Sequence, residues 1–306
     1  MTFLKCPSFA KINLGLRILG KRTDGYHEID TVLQTISLHD DLTFTRRDDQ
    51  KILLRCDDPD IPIDDTNLIV RAASLLKDHS RESIGTDIRL TKRIPAQGGL
   101  GGASSNAAVT LLALNHLWRL GLNMNKLQGI GRELGSDVPF FLLGGVAHAT
   151  GTGSNVSILP EVEKLHLILV TPNAKVSTAA AYAALKAASL TTKGSVSILS
   201  SSFAEPGFAH ANQWTLENDF EGVIFEIEPE IRRAKMALLD AGAQGGLLAG
   251  SGSSVFGIFG NKDARERALA DLKRESGWQV FSCETISRDE YSESLSSSGF
   301  PILTLS

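Results

Sequence analysis

The sequence predicts a protein of two domains, each of which combines β-strands with α-helices. The chain has 306 residues, 42% of them hydrophobic, and this length supports two hydrophobic cores better than one. Stretches of period-two alternation are interspersed with stretches whose apolar residues recur every three to four positions, the signatures of strands and helices. A shift toward Pro160 and charged residues indicates a domain boundary near residues 155–164. We therefore assign residues 1–158 to a first domain, 159–288 to a second and 289–306 to a Ser-rich tail.

Composition and charge exclude several classes of function. The net charge is -4 and no run of Lys or Arg forms a stripe, so no nucleic-acid partner is expected. No apolar run is long enough to cross a bilayer, and Lys5 and Lys11 interrupt any signal-like segment at the N-terminus. Three scattered cysteines lack the spacing of a metal site or a disulfide framework: Cys6, Cys56 and Cys283. We expect a soluble, cytoplasmic protein without a membrane partner.

The first strand is predicted over residues 8–18, where apolar residues occupy every second position. The alternation places Lys11 and Asn13 on the face opposite to the apolar one. It predicts a strand with one buried face, from which Lys11 and Asn13 project in the same direction. A lysine on such a strand is most often simply solvated, and that alternative stays open at this point.

A turn over residues 20–25 leads into Tyr26-His27 and a second β region near residues 32–46. An aromatic residue and a histidine directly after a tight turn often lie at the rim of a site, although a packed Tyr26 and a surface His27 explain the pattern equally well. Residues 47–65 read as a weak strand followed by a loop. Asp64, Asp65 or Thr66 is expected to cap a helix over residues 67–79, and a strand over residues 86–92 ends at Lys92.

The sequence is richest in glycine over residues 95–106, PAQGGLGGASSN, directly before an apolar helix predicted over residues 104–120. Glycine allows positive φ and close approach of a ligand, and the free amides of a helix start face an anion. The spacing fits neither a P-loop nor a dinucleotide-binding fingerprint. The stretch indicates a phosphate cradle in which the Ser104 and Ser105 hydroxyls are available to a phosphate oxygen or a magnesium ion.

A helix over residues 124–134 is followed by Ser136-Asp137-Val138-Pro139 and a short strand over residues 146–149. Asp137 precedes a proline, which is typical of a helix N-cap. A carboxylate in that position also stays ionised, because the helix dipole favours negative charge there. A structural role and a chemical role for Asp137 are therefore compatible.

The second domain is predicted to begin with a buried strand over residues 165–170 and an alanine-rich helix that Ser177-Thr178 cap and that carries Tyr182. Residues 189–212 read as a loop. Residues 218–221 resemble a capping box before a helix interrupted at Pro229, and a second helix follows over 230–241. A second glycine cluster, residues 247–259, reads as strand, turn and strand, with a loop pressed against a ligand or another loop. A helix over 262–275 and a strand over 280–286 follow, and the Ser-rich tail is expected to be disordered.

Three segments together resemble one known family. The run over residues 95–106 resembles the ATP-binding motif of the GHMP kinases, named for galactokinase, homoserine kinase, mevalonate kinase and phosphomevalonate kinase. Residues 7–14, PSFAKINL, resemble the first motif of that family, and residues 248–254, LAGSGSS, resemble the third. The resemblance covers residues 7 to about 286, with the motifs in the family's order.

This resemblance implies an α+β two-domain GHMP kinase fold. The N-terminal domain would bind ATP, the C-terminal domain would be a ferredoxin-like α/β plait, and the active site would lie in the interdomain cleft. The expected cofactors are ATP and Mg²⁺, with the metal ligands open. The residues implied in nucleotide binding are Asn67, Lys92, Pro95, Ala96, Gln97, Gly98, Gly99, Leu100, Gly101, Gly102, Ala103, Ser104 and Ser105. Gln97 and Ala103 depart slightly from the family pattern, which often has glycine at the first of these positions.

Four further segments resemble one branch of the family: residues 20–27, 67–73, 136–139 and 218–221. That branch phosphorylates the 2-hydroxyl group of a cytidyl diphosphate sugar alcohol in non-mevalonate isoprenoid precursor biosynthesis. The resemblance implies Lys11 and Asp137 as catalytic residues. It implies that the small-molecule substrate is bound by Asn13, Tyr26, His27, Thr178 and Tyr182, with tyrosine at a position where phenylalanine is expected.

Two alternatives to this function remain open from the sequence. One is another small-molecule GHMP kinase of the mevalonate type, against which Tyr26-His27 and the segment 178–182 argue. The other is a nucleotide-binding module without activity, against which Lys11 and Asp137 argue. The oligomeric state is expected to be a monomer or a weak homodimer.

Overall fold

The computed structural model describes residues 3–80, 84–174, 176–185 and 216–296. Within these ranges the chain forms ten strands and nine helices arranged around two sheets. No helix in the described part of the chain is long and apolar enough to span a bilayer. The loop predicted over residues 189–212 lies outside the described residues.

The first sheet is built on a long antiparallel pair of strands. Its strands are β1 (Phe3–Lys21), β2 (His27–Arg47), β3 (Ile52–Cys56), β4 (Gly85–Thr91), β5 (Val146–Gly151) and β6 (Asn155–Ile158). β1 pairs with β2 from Phe3 opposite Thr45 to Lys21 opposite His27. The sheet order is β3-β4-β2-β5-β6, with β1 paired to β2. β1 and β2 are both longer than predicted from the sequence pattern, because their antiparallel pairing continues beyond the predicted segments at both ends.

Four helices pack on the first sheet. They are α1 (Leu68–Ser80), α2 (Gly102–Leu117), α3 (Met124–Leu134) and α4 (Val138–Phe141). α2 is buried on nearly all sides, as an apolar helix with little amphipathic character requires. It begins two residues earlier than predicted, directly after Gly101. α1 is capped by Asn67, whose Oδ1 accepts a 2.9 Å hydrogen bond from the Ile69 amide, rather than by the preceding Asp64–Thr66 as predicted.

The second sheet has the ferredoxin-like order that the family resemblance implied. Its strands are β7 (His166–Pro172), β8 (Gly245–Leu248), β9 (Val255–Phe259) and β10 (Trp278–Glu284). The order β10-β7-β9-β8 places the fourth strand beside the first, and all neighbours are antiparallel. The helices of this half are α5 (Thr178–Leu185), α6 (Phe220–Ile227), α7 (Pro229–Asp240) and α8 (Lys262–Leu272).

β1 is buried on both of its faces. Ile12 and Leu14 pack into a core that they share with Leu167 and Phe256 of the second sheet. The opposite face is buried as well: only 4% of Lys11 and 2% of Asn13 are exposed. The prediction of a single buried face is therefore wrong, because the second sheet covers one face of β1 and the backbone at Gly101 and Gly250 lies against Lys11 on the other. A lysine at this depth requires a compensating partner or a function.

The capping box predicted over residues 218–221 does not form. Asp219 is the N-cap of α6, but its side chain makes no capping hydrogen bond. Its Oδ2 instead accepts a 2.7 Å hydrogen bond from the Ile18 amide of β1. Glu221 accepts from the Leu248 amide at 2.9 Å and pairs with Lys235. The segment connects β1 to the second sheet through these long-range contacts, while Oδ1 of Asn218 accepts a local hydrogen bond from the Phe220 amide at 3.0 Å.

The start of the Ser-rich tail is a helix, α9 (Arg288–Ser296), so the disorder predicted from residue 289 onward is wrong as far as residue 296. Tyr291 and Leu295 lie one turn apart and are buried, and the Tyr291 hydroxyl donates to the Phe141 carbonyl. These two apolar residues anchor a segment whose serine content suggests disorder. Residues 297–306 lie outside the described residues.

Candidate active site

Lys11 and Asn13 project from β1 into one buried polar cluster. The Lys11 ammonium donates a 2.7 Å hydrogen bond to Oδ1 of Asn13. The Asn13 amide nitrogen donates at 2.8 Å to Oγ1 of Thr31 on β2, and the Thr31 hydroxyl donates at 2.7 Å to the Gly15 carbonyl. This series of hydrogen bonds holds both side chains in one orientation, as the strand pattern predicted.

The Lys11 ammonium also faces the carboxylate of Asp137. Nζ of Lys11 and Oδ2 of Asp137 are 3.8 Å apart, and the two side chains are 5% and 33% exposed. Burial lowers the pKa of Lys11 below its ordinary value of 10.5, and the negative charge of Asp137 opposes that shift. The cluster thus holds a desolvated cation beside a carboxylate that solvent reaches. Such a charge pair is characteristic of functional sites.

Asp137 occupies the N-cap position of α4, with Pro139 in the first turn, as predicted. Its side chain nevertheless makes no capping hydrogen bond. The carboxylate is therefore not committed to stabilising the helix, and its position next to Lys11 is available for chemistry.

The glycine-rich segment 95–101 approaches the cluster from the entrance to α2. Positive φ angles occur at alternate positions: 57° at Gln97, 75° at Gly99 and 71° at Gly101. Alternation of left- and right-handed backbone turns successive amides toward one side, an anion-binding arrangement. The Leu100 carbonyl accepts a 3.0 Å hydrogen bond from the Lys11 amide. The cradle is thus attached to β1 beside the catalytic candidate.

The second glycine-rich loop, residues 249–254, packs directly on the first. The amides of Ser253 and Ser254 donate to the carbonyls of Gln97 and Gly98 at 3.3 and 3.2 Å. At Gly99 a Cβ atom would lie 1.9 Å from the Ala249 carbonyl oxygen, so only glycine fits. This confirms the prediction that the second cluster is pressed against another loop.

The two serines at the start of α2 differ in their surroundings. Ser105 is fully buried, and its Oγ accepts a 2.8 Å hydrogen bond from the hydroxyl of Ser8. Ser104 is half-buried, and its Oγ lies near Gly135. Ala96, Gln97 and Ala103 are exposed, and Pro95 and Gly102 are half-buried. Of the two hydroxyls, that of Ser104 is therefore the more accessible to a ligand.

Two of the residues implied in nucleotide binding have structural partners. Nζ of Lys92 pairs with Asp40 at 3.1 Å and donates to the Ile94 carbonyl. Asp40 also accepts from the amides of Arg93 and Ile94 at 2.7 and 2.8 Å, which fixes the entrance to the cradle. Asn67 caps α1 and donates to the Pro62 carbonyl at 2.6 Å.

Two of the residues implied in substrate binding, His27 and Tyr182, pack against each other. The rings of His27 and Tyr182 stack with centroids 4.6 Å apart, and Tyr182 meets Phe220 edge-on at 4.9 Å. Burial, with a smaller contribution from the charge of Asp137, raises the pKa of Tyr182 to about 12. Tyr26 is 65% exposed. Oγ1 of Thr178 lies 3.1 Å from Oγ of Ser251 in the second glycine-rich loop.

Sequence reasoning missed the residues that hold this site in shape. Thr31 and Asp40 lie on β2, where the alternating pattern gives no signal for a buried polar contact. Asn218 fits a local cap, since its Oδ1 accepts from the Phe220 amide, but its side-chain amide also donates to the distant carbonyls of Leu248 and Gly250. Each acts through a partner distant in sequence, which a local pattern does not reveal.

A separate recess of about 650 Å³ lies between β1, β10 and α9. Its lining includes Phe9, His39 and Glu284 and contains neither Lys11 nor Asp137. The polar cluster on β1, and not this recess, carries the residues suited to catalysis.

Two family descriptions match the chain. "GHMP kinases N terminal domain" matches residues 67–145, and "GHMP kinases C terminal" matches residues 201–277. Together they cover the cradle, Asp137 and two of the four strands of the second sheet, β8 and β9. The chain belongs to the GHMP kinase family, whose members use ATP as phosphate donor.

The particular branch follows from relatives over nearly the whole length. The chain is 40% identical over 285 residues to "4-diphosphocytidyl-2-C-methyl-D-erythritol kinase" of Syntrophus aciditrophicus (strain SB), covering 92% of this chain and 99% of the relative. It is 42% identical over 287 residues to the kinase of the same name from Solibacter usitatus (strain Ellin6076), covering 93% and 89%. Within the family the chain therefore belongs with the kinases of that name.

Solved structures agree with this placement. A "4-(cytidine 5'-diphospho)-2C-methyl-D-erythritol kinase" superimposes with a TM-score of 0.76 at 31% identity, covering 93% of this chain and 100% of that one. A homoserine kinase from Cytophaga hutchinsonii has a TM-score of 0.71 at 17% identity, covering 94% and 95%. The second likeness establishes the shared fold alone.

Proposed function

We propose that this chain transfers the γ-phosphoryl group of ATP to the 2-hydroxyl group of 4-diphosphocytidyl-2-C-methyl-D-erythritol. Asp137 acts as the general base and Lys11 as its electrostatic partner. The observation that carries the proposal is the buried Lys11 ammonium, 3.8 Å from a solvent-accessible Asp137 carboxylate, beside two interlocked glycine-rich loops. The names of the relatives at about 40% identity support the choice of acceptor.

The cradle fits the triphosphate of ATP. Alternating positive φ angles from Gln97 to Gly101 direct amides toward one side, and α2 begins directly after them. A Cβ at Gly101 would lie 2.7 Å from the Phe141 ring, so the loop backbone is held close to the structure beneath it. Residues 95–105 would therefore hold the phosphates mainly through backbone amides.

The donor set is also compatible with Mg²⁺. Among the described residues, no group of three or more His, Cys, Asp or Glu side chains is placed to hold a metal ion. Mg²⁺ bound to a nucleotide commonly takes its ligands from the phosphates, waters and one or two protein oxygens. The Ser104 hydroxyl is the protein oxygen we assign to this role. When bound, the ion would neutralise charge on the phosphates.

The reaction requires positioning and charge stabilisation more than covalent help. An Asp137 carboxylate oxygen accepts the proton of the acceptor hydroxyl as that oxygen forms a bond to the γ-phosphorus. The bond between this phosphorus and the oxygen bridging to the β-phosphorus breaks, and ADP leaves. Lys11 offsets negative charge on the reacting oxygens.

Binding energy from the remote cytosine would orient the hydroxyl. Tyr26 offers an exposed ring, while His27 and Tyr182 already lie against each other. We assign hydrogen bonding of the base to His27 and stacking to Tyr26 and Tyr182, with Thr178 and Asn13 lining the path to the reacting hydroxyl.

A substrate panel tests the proposed function. ADP release is measured with the cytidyl substrate, with mevalonate and with homoserine, each with Mg²⁺ and ATP. We expect turnover with the cytidyl compound alone. Preference for mevalonate or homoserine would assign the chain to another activity of the family. Absence of turnover with all three would favour a binding module.

A further inference from the structure

We infer that Asn218 is a positioning residue for phosphoryl transfer, which it serves by holding the second glycine-rich loop over the Lys11 ammonium. The inference rests on the proposed role of Lys11. It begins from Gly250 of that loop, which lies beside the lysine. A Cβ built at Gly250 would lie 3.3 Å from Nζ of Lys11 and 3.6 Å from Oδ1 of Asn13. The Gly250 backbone therefore closes one side of the polar cluster.

Asn218 holds this backbone through its side-chain amide. Its Nδ2 donates to the Gly250 carbonyl at 2.7 Å and to the Leu248 carbonyl at 2.9 Å. Its Oδ1 accepts from the Phe220 amide at 3.0 Å. Asn218 is buried, and both amide hydrogens are directed at the loop. No residue with a single donor can bridge the two carbonyls in this way.

The backbone around Asn218 is itself fixed to β1, the strand that carries Lys11. The Leu16 amide donates to the Glu217 carbonyl at 2.8 Å, and the Asp219 amide donates to the Leu16 carbonyl at 3.1 Å. This isolated parallel bridge joins Leu16 to Asn218. Asn218 thus connects the loop to the strand that carries Lys11.

The loop contacts the phosphate cradle on its other side, through Ser253 and Ser254. Without the Asn218 side-chain amide, Leu248 and Gly250 would lose their connection to β1. The hydrogen bonds of Ser253 and Ser254 to the cradle would remain. The expected consequence is a displaced cover over Lys11 and a misplaced ammonium. A displacement of about 1 Å in a reacting geometry can cost about a hundredfold in rate.

The test compares Asn218→Ala with Asn115→Ala. Asn115 is also buried, and its side chain also joins a loop backbone, donating to the Leu122 carbonyl at 2.9 Å and accepting from its amide at 3.0 Å. It lies near the C-terminal end of α2, whereas the cradle meets the N-terminal end. We expect Asn218→Ala to lower kcat by roughly ten- to a hundredfold with little change in the acceptor KM. We expect Asn115→Ala to lower the stability alone.

A second measurement separates positioning from a general loss of structure. In a Lys11→Ala background, Asn218→Ala should lower the residual kcat by less than about twofold, because the group through which it acts is absent. A full additional loss in that background would overturn the inference, and so would a single Asn218→Ala variant with kcat within about twofold of wild type.

If Asn218→Ala does not fold, Gly250→Ala tests the same geometry without removing the hydrogen bonds of Asn218. Its added methyl group would lie 3.1 Å from the Gly99 carbonyl oxygen and 3.3 Å from Nζ of Lys11, and an unchanged kcat would overturn the inference. Wild-type turnover in the substrate panel reports separately on the proposed function. If wild type prefers another alcohol, the Asn218 comparison is made with that alcohol.

Discussion

Nζ of Lys11 on β1 lies 3.8 Å from Oδ2 of Asp137, which directly precedes α4. The lysine is enclosed by both halves of the protein, whereas the carboxylate remains accessible from solvent. The pair differs from a surface ion pair, whose contribution to stability is small and whose geometry is loose. A buried lysine with a lowered pKa is maintained at a cost in stability, and the site's chemistry accounts for that cost.

Removal of the buried charge should separate stability from activity. Burial makes the charged form of Lys11 less favourable in the folded protein than in the unfolded chain. At pH 7 the Lys11→Met variant removes this penalty but leaves Oδ1 of Asn13 without its donor, so its free energy of unfolding should lie within about 1 kcal/mol of that of wild type. Its turnover should be nearly abolished.

The pH dependence of that difference has a definite sign. Because the folded-state pKa of Lys11 is depressed, the unfolded chain binds more protons between that pKa and 10.5. Wild type therefore gains stability relative to Lys11→Met as the pH rises through this window. Urea unfolding of both proteins at several pH values measures the difference. A Lys11→Met variant clearly less stable than wild type at pH 7 would show that the lysine stabilises the fold.

The contact between the two glycine-rich loops should be sensitive to a single methyl group. Gly99→Ala places a Cβ 1.9 Å from the Ala249 carbonyl at a φ of 75°. We expect a loss of about 2–4 kcal/mol in unfolding free energy from strain and overlap, together with weaker ATP binding. Urea unfolding and an ATP titration measure the two effects.

Gly129→Ala is the matched control for that variant. Gly129 lies within α3, and an added Cβ would meet no heavy atom within 4 Å. Alanine there should stabilise the protein by about 0.5–1 kcal/mol and leave ATP binding unchanged. If Gly99→Ala behaved like Gly129→Ala, the interlocked loops would not be the basis of the cradle's shape.

The acceptor site should respond to changes in its aromatic group. His27→Ala removes a hydrogen-bonding ring that stacks on Tyr182 at 4.6 Å. The variant should lose about 1–3 kcal/mol of substrate binding free energy, which raises the KM for the cytidyl substrate roughly 5- to 150-fold. The KM for ATP should be unchanged. Tyr182→Phe keeps the stacked ring and should leave the cytidyl KM within about threefold. Steady-state kinetics decide, and an unchanged KM in His27→Ala would remove His27 from cytosine recognition.

The sequence predicts those structural features best that depend only on residues close together in the chain. The helix over 124–134 and the strand over 86–92 follow from periodicity and match α3 and β4 closely. The phosphate cradle is predicted by glycine density alone. The burial of Lys11 is not, because the backbone that closes over it, at Gly101 and Gly250, is distant from it in sequence.

The segment 218–221 also shows that a local motif does not identify distant partners. Its residue types fit a local capping box, yet Asp219 binds the Ile18 amide and Glu221 binds the Leu248 amide. A side chain that fits a local motif can bind a more distant partner once tertiary contacts form. The serine content near residue 292 likewise suggests disorder, but the burial of Tyr291 and Leu295 stabilises the helix α9.

The central claim is that Asp137 is the base for phosphoryl transfer, and the kcat of Asp137→Asn with ATP and the cytidyl substrate tests it most directly. The Asp137 side chain makes no capping hydrogen bond, so the variant loses the charge pair with Lys11 but keeps the start of α4 and should still fold. We predict a fall in kcat of at least about a hundredfold, with the KM for ATP little changed. A folded Asp137→Asn enzyme that turns over at close to the wild-type rate would contradict the account.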